Sequence, residues 1–197
     1  KNPKIEILGY ESEAWSGRDK VCSVLKTAVE KRKGKRTILT LECYPGVRKE
    51  DINTLLEGLS VALWIDSDSC AYEGEVLDQI MERELTDDRV FGIYTTHSLE
   101  DYFDQEKLKD AAEQVEETEG LVVICGTGAS LIHEGDVLVY CDMARWEIQL
   151  RYRAGMSNWN TENSEAPILS KYKRGYFIEW RIACLFQTAR QTECSAE

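Results

Sequence analysis

Five near-continuous apolar runs interleaved with amphipathic helical patterns restrict this chain to an α/β fold. The runs are Thr37 to Tyr44, Val61 to Asp66, Leu121 to Gly126, Asp136 to Asp142 and Tyr176 to Ala183. Their β-branched, two-sided hydrophobicity is that of strands covered on both faces. Between them, Gly17 to Lys33 sets Val21, Val24, Leu25, Ala28 and Val29 on one side, with Ser16 as candidate cap and Gly34 as stop. Glu50 to Leu59, Glu75 to Leu85, Gln105 to Glu119 and Met143 to Ala154 show the same helical spacing. This alternation predicts a mostly parallel sheet of about five strands with helices on both faces, a three-layer sandwich. Strand order is not contained in sequence order.

A length of 197 residues suits one such domain, expected over 1–186, followed by a frayed tail at 187–197. The closing residues suggest either a domain cut from a longer protein or a chain that simply stops there. The polar stretch from Gly155 to Ser170 reads as a mobile surface loop. No apolar run approaches the roughly 20 residues needed to cross a bilayer, and the first residues lack a signal-peptide core. A cytosolic protein is therefore expected. The net charge of -12 opposes nucleic acid and anionic membrane as partners, because both require a positive field. Any anionic ligand must be small and met by local cations. Cys43, Cys125, Cys141 and Cys184 lie inside apolar runs, where a thiol behaves as a small hydrophobe. With His97 and His133 isolated and no C-x-x-C pair, no metal site is expected.

Chemistry has several candidate locations. The first strong strand runs into Tyr44-Pro-Gly46-Val47-Arg48-Lys49, where a strand-to-helix turn presents backbone amides of the kind that bind phosphate. A full nucleotide loop would read G-x-x-x-x-G-K-[ST]. Here Gly46 is the single matching glycine and Arg48-Lys49-Glu50-Asp51 replaces the lysine and hydroxyl pair, so an ordinary turn is the competing reading. A second small-residue loop, Gly126-Thr-Gly128-Ala-Ser130, follows the strand from Leu121 and lies where open sheets bind ligands; a tight crossing loop is its alternative.

Cations concentrate in the last third: Arg145, Arg151 and Arg153 on one helical pattern, then Lys171, Lys173, Arg174 and Arg181. Guanidinium forks hold phosphate bidentately, although pairing with Glu147, Glu162, Glu165 and Glu179 on a solvated face is equally compatible. Asp66, Asp68 and Asp142 end strands, the place of a magnesium ligand or catalytic base in phosphoryl transfer, and also of a helix cap.

Two resemblances follow from these strings. Asp136 to Arg153, a strand ending in Asp before an arginine-bearing helix, is similar to the uridine-kinase-like branch of P-loop kinases. That resemblance implies phosphate-facing or lid roles for Arg145, Arg151 and Arg153, and places Asp66 and Asp68 near the substrate-side base. The nucleotide-loop lysine and Ser/Thr have no match at Arg48 to Asp51, which points to a degenerate kinase. Leu41 to Val47, Leu85 to Gly92, Leu99 to Asp104, Tyr140 to Gln149 and Tyr172 to Arg181 resemble the N-terminal extension of long bacterial proteins of the class I mannose-6-phosphate isomerase type. The similarity runs from about Ile5 to Ile182. It implies association with a cupin isomerase domain in cis or in trans, the zinc isomerase site itself being absent here.

Three functions are compatible with the residues. One is a degenerate P-loop domain binding a phosphorylated sugar or nucleotide without turnover. Another is an active small-molecule kinase using ATP and magnesium, with Lys49, Arg48 or a later cation in place of the lost lysine. The last is a noncatalytic homo-oligomerisation or interaction module.

Overall fold

The computed structural model describes residues 8–9, 13–32 and 34–194. Residues 1–7 and Lys33, which carry part of the N-terminal reading, lie outside the described residues. Four strands, β1 (Arg36–Cys43), β2 (Val61–Asp66), β3 (Gly120–Gly126) and β4 (Val137–Cys141), form one wholly parallel sheet in the order β2-β3-β1-β4. The helices are α1 (Arg18–Glu30), α2 (Lys49–Leu55), α3 (Gly74–Leu85), α4 (Gln105–Glu117), α5 (Ala129–Ile132), α6 (Arg145–Arg153), α7 (Ile168–Arg174) and α8 (Trp180–Cys194). A π-helical turn at Gly175–Glu179 joins the last two.

Pleat alternation divides the core. Leu39, Leu41 and Cys43 of β1 with Val123 and Cys125 of β3 pack on Leu25 and Val29 of α1 and Ile52 of α2. Ile38, Val122, Ile124 and Ile65 face the other way, onto Leu77 and Met81 of α3, Leu108 and Val115 of α4, and Ile178 and Ile182. The sandwich therefore has three layers, as expected for parallel strands buried on both faces.

The fifth expected strand, Tyr176 to Ala183, is helical. Its buried residues Ile178, Ile182 and Phe186 recur every four positions and cover one face of the sheet. A run that is apolar nearly throughout carries no period, so a buried helix and a buried strand look alike in sequence. Cys184 moves with it: on α8 it is exposed, whereas Cys43 and Cys125 are buried as expected and Cys141 is half-buried. Helix α8 runs to Cys194, past Gln187, and residues 195–197 of the expected tail lie outside the described residues. Gly17, not Ser16, occupies the α1 N-cap, and Ala144, not Asp142, occupies that of α6.

The stretch from Gly155 to Ser170 is tied down rather than loose. Asn158 and Trp159 are buried, and α7 begins inside it at Ile168. Lys171, 1% exposed, donates to the carbonyls of Tyr152 (3.3 Å), Met156 (3.0 Å) and Ser164, so its ammonium ties the start of the segment to its middle. Among the described residues, no helix is long and apolar enough to cross a membrane.

Candidate functional site

Topology singles out one place. The chain leaves β1 through α2 on the α1 side and leaves β3 through α5 on the opposite side, and β1 and β3 are neighbours. Their carboxyl ends therefore flank a switch point, where open parallel sheets form a ligand crevice. A small hollow of about 40 Å³ lies there, lined by Tyr44, Gly46, Val47, Arg48, Lys49, Asp68, Gly126 and Trp159 among others. That is room for one or two waters.

Lysine 49 dominates the mouth. At the start of α2 it forms an ion pair with Asp66 at the end of β2, and its Nζ lies 3.6 Å from Asp68 Oδ2. Desolvation alone would lower its pKa; the two carboxylates outweigh it and hold it above the ordinary lysine value. Asp68 also accepts from the Trp159 indole (2.8 Å) and from the Thr127 amide (3.0 Å). Burial raises its carboxyl above the usual aspartate value, against the lowering effect of Trp159 and Lys49.

A raised carboxyl means that the folded state binds the proton more tightly than the unfolded chain. The associated stability is present below the unfolded pKa, about 3.9, and is lost as pH rises through the folded value. Asp68→Asn keeps an acceptor for Trp159 and removes the charge. We expect it to melt about 2–4 °C higher than wild type at pH 7. Scans below about pH 4, where the wild-type carboxyl is protonated, should show the gain disappear.

The Gly46 turn requires glycine. Its φ is 105°, and a Cβ there would stand 2.9 Å from Cγ1 of the fully buried Ile148 on α6. Gly46→Ala should cost about 1–3 kcal/mol, read by urea unfolding. Close approach of α6 also brings Arg151 to the turn, where Nη1 donates to the Gly46 carbonyl (3.0 Å) and pairs with Asp51 (3.0 Å).

The second glycine loop has its amides occupied by the chain's own carboxylates. Gly128 N and Ser130 N donate to Glu42 at 2.7 and 2.9 Å, the Ser130 hydroxyl joins at 2.8 Å, and Thr127 N serves Asp68. Glu42 is 2% exposed, and its burial pushes the carboxyl pKa up. The signal for it was present in the sequence: one acid inside the apolar run Thr37 to Tyr44. Trp159 was hidden in a stretch that reads as polar loop.

The expected residues therefore divide. Gly46, Val47, Arg48, Lys49, Asp68 and Gly126 line one hollow, with Asp66 and Arg151 at its margin. Arg48 is turned to Asp51 (3.4 Å). Gly128 belongs to the Glu42 nest. Arg145 donates to the Tyr44 hydroxyl (3.4 Å) and lies over Trp180, while Arg153 lies over Trp146 and Tyr172. Lys173 reaches the carbonyls of Thr86 (3.2 Å) and Asp88 (2.6 Å). Arg174 is buried against Glu179 (2.7 Å). Among the described residues, no group of three or more His, Cys, Asp or Glu side chains is arranged to hold a metal ion.

The chain belongs to the family described as Domain of unknown function (DUF8485), which matches residues 17–190. No curated protein and no solved structure matches it.

Proposed function

For this member of the DUF8485 family we propose a degenerate P-loop-like domain that binds a small phosphorylated molecule, a sugar phosphate or nucleotide, at the β1–β3 crevice. The observation that carries the reading is Lys49, held by Asp66 and Asp68 beside the Gly46 turn at a topological switch point. Lys49 lies three residues after Gly46, and an incoming phosphate takes its ammonium from the two aspartates. Those carboxylates neutralise a cation that is 45% exposed at its side chain. The Glu42 nest and the buried Arg174 stay structural throughout. A cytoplasmic location and a mannose-6-phosphate isomerase-type cupin partner, in cis or in trans, complete the reading.

An active kinase is the second reading, favoured by one observation: Asp66 and Asp68 converge on the same ammonium, the placement needed for a magnesium ligand and a base. A thermal-shift series separates the two. A ligand specific for the folded state adds about 2.7 kcal/mol at 100 times its Kd. Binding without turnover predicts stabilisation by ATP or mannose 6-phosphate that is independent of magnesium, with ATP left intact. Magnesium-dependent ATP consumption with a sugar or nucleoside would favour the kinase. No shift with any phosphorylated compound would remove both.

A further inference from the structure

Two sets of arginines differ in which guanidinium nitrogens they engage. Arg18, Arg36, Arg151 and Arg174 spend their terminal Nη groups on carboxylates and carbonyls. Arg145, Arg153 and Arg181 do the reverse. Each spends only Nε, on the Tyr44 hydroxyl (3.4 Å), the Tyr172 hydroxyl (2.6 Å) and the Thr95 carbonyl (3.0 Å) respectively. Each guanidinium also lies over a ring: Arg145 5.7 Å from the Trp180 centroid, Arg153 5.6 Å from Trp146, and Arg181 5.2 Å from Tyr94. Among the described residues none of the three has a carboxylate within ion-pair distance, in a chain with a net charge of -12.

These cations share a surface with large exposed rings. Trp146 is 61% exposed beside Arg145, and Tyr94 and Tyr176, hydrogen-bonded to each other at 2.9 Å, are 48% and 46% exposed. Arg145 lies over Trp180, the chain neighbour of Arg181, and Arg153 lies over Trp146, the chain neighbour of Arg145, which joins the three cations from α6 to the start of α8. A guanidinium fixed through Nε and stacked on a ring is pre-organised, so its two Nη groups can donate to a carboxylate with little further loss of freedom. The rings beside it offer the apolar area on which binding energy concentrates.

We propose that this strip is a docking surface for an acidic peptide segment of another protein, its carboxylates taken by Arg145, Arg153 and Arg181 and its apolar side chains covering Trp146, Tyr94 and Tyr176. Charge complementarity selects the occupant: three unpaired cations match a short segment with a few carboxylates. A long polyanion such as nucleic acid or an anionic membrane would meet the repulsive field of the whole chain. The strip meets the Lys49 crevice at Tyr44, which lines the hollow and accepts from Arg145, but it uses none of Lys49, Asp66 and Asp68, so loss of phosphate binding in Lys49→Ala and loss of peptide binding in the strip variants are distinguishable.

The test is fluorescence anisotropy with a labelled synthetic peptide of alternating glutamate and leucine, against the same peptide with glutamine for glutamate. Wild type should bind the glutamate peptide at least tenfold more tightly, with affinity falling as salt rises. The triple variant Arg145→Gln/Arg153→Gln/Arg181→Gln should lose at least tenfold. The single exposed variant Trp146→Gln should weaken binding severalfold and guards against misfolding of the triple. Equal binding of the two peptides, or variants that bind within twofold of wild type, would overturn the proposal. So would preference for an oligothymidylate or phosphatidylserine vesicles over the peptide, or a dimer of the chain itself that the same substitutions dissolve.

Discussion

Replacing Arg174 by Met should lower the unfolding free energy by about 3–5 kcal/mol, a large part of the roughly 5–15 kcal/mol that keeps a domain folded. Arg174 is 4% exposed and donates Nε to Glu179 (2.7 Å), Nη1 to Asp78 (3.1 Å) and Nη2 to the Trp159 carbonyl (3.1 Å). Glu179 is fully buried, and its other oxygen accepts from Tyr152 (3.2 Å) and Asn158 (3.0 Å). Removing the guanidinium leaves that carboxylate without a countercharge, the costly way to break a buried pair. The double variant Arg174→Met/Glu179→Leu removes both charges and should recover much of the loss, because residues in contact do not act additively. Arg18, paired with Glu57 at the surface, is the contrast: Arg18→Met should change stability by about 1 kcal/mol or less. Urea unfolding of the variants measures all of this, and an Arg174→Met midpoint equal to wild type would show that the Glu179 network carries no weight.

The second large effect concerns Lys49 and has opposite signs at its two ends. If the ammonium is the phosphate ligand, Lys49→Ala removes the cation at the mouth of the crevice and should weaken a phosphorylated ligand at least tenfold, about 1.4 kcal/mol. Asp66→Asn removes the competitor for that ammonium and one of two like charges facing the incoming phosphate, so it should tighten the same ligand by about tenfold. The pair of outcomes is diagnostic. A site in which Asp66 served as metal ligand or base would lose function in both variants. Because Asp66 and Asp68 hold the Lys49 pKa above its usual value, the lysine stays charged across neutral pH. Affinity should therefore rise between about pH 5 and 7 with the second ionisation of the ligand phosphate and then level off.

The sheet was legible in sequence wherever a short β-branched run was bounded by turn residues. β1 to β4 fall within a residue of their expected limits, because a strand buried on both faces leaves few alternatives for Ile38-Leu-Thr-Leu41 or Val122-Val-Ile-Cys125. Tyr176 to Ala183 failed the same test since Ile178, Trp180 and Ile182 are apolar at both helical and strand spacing. Only the packing of α8 on an already complete sheet decides between them. At the site, the Gly46 turn and the strand-end aspartates were readable because short-range chemistry fixes them. The late cations were not: Lys171, Lys173 and Arg174 look solvated in sequence, and the carbonyls and carboxylates that hold them come from residues 5 to 96 positions away. Glu42 of β1 meets the Gly128 loop after β3 only because β3 inserts beside β1, a strand order that no local pattern encodes.

The most direct measurement is isothermal titration of wild type, Lys49→Ala and Asp66→Asn with one phosphorylated ligand taken from the thermal-shift series. Binding that is lost in Lys49→Ala and strengthened in Asp66→Asn is the expected result. Equal affinity in all three proteins would contradict a phosphate site at Lys49.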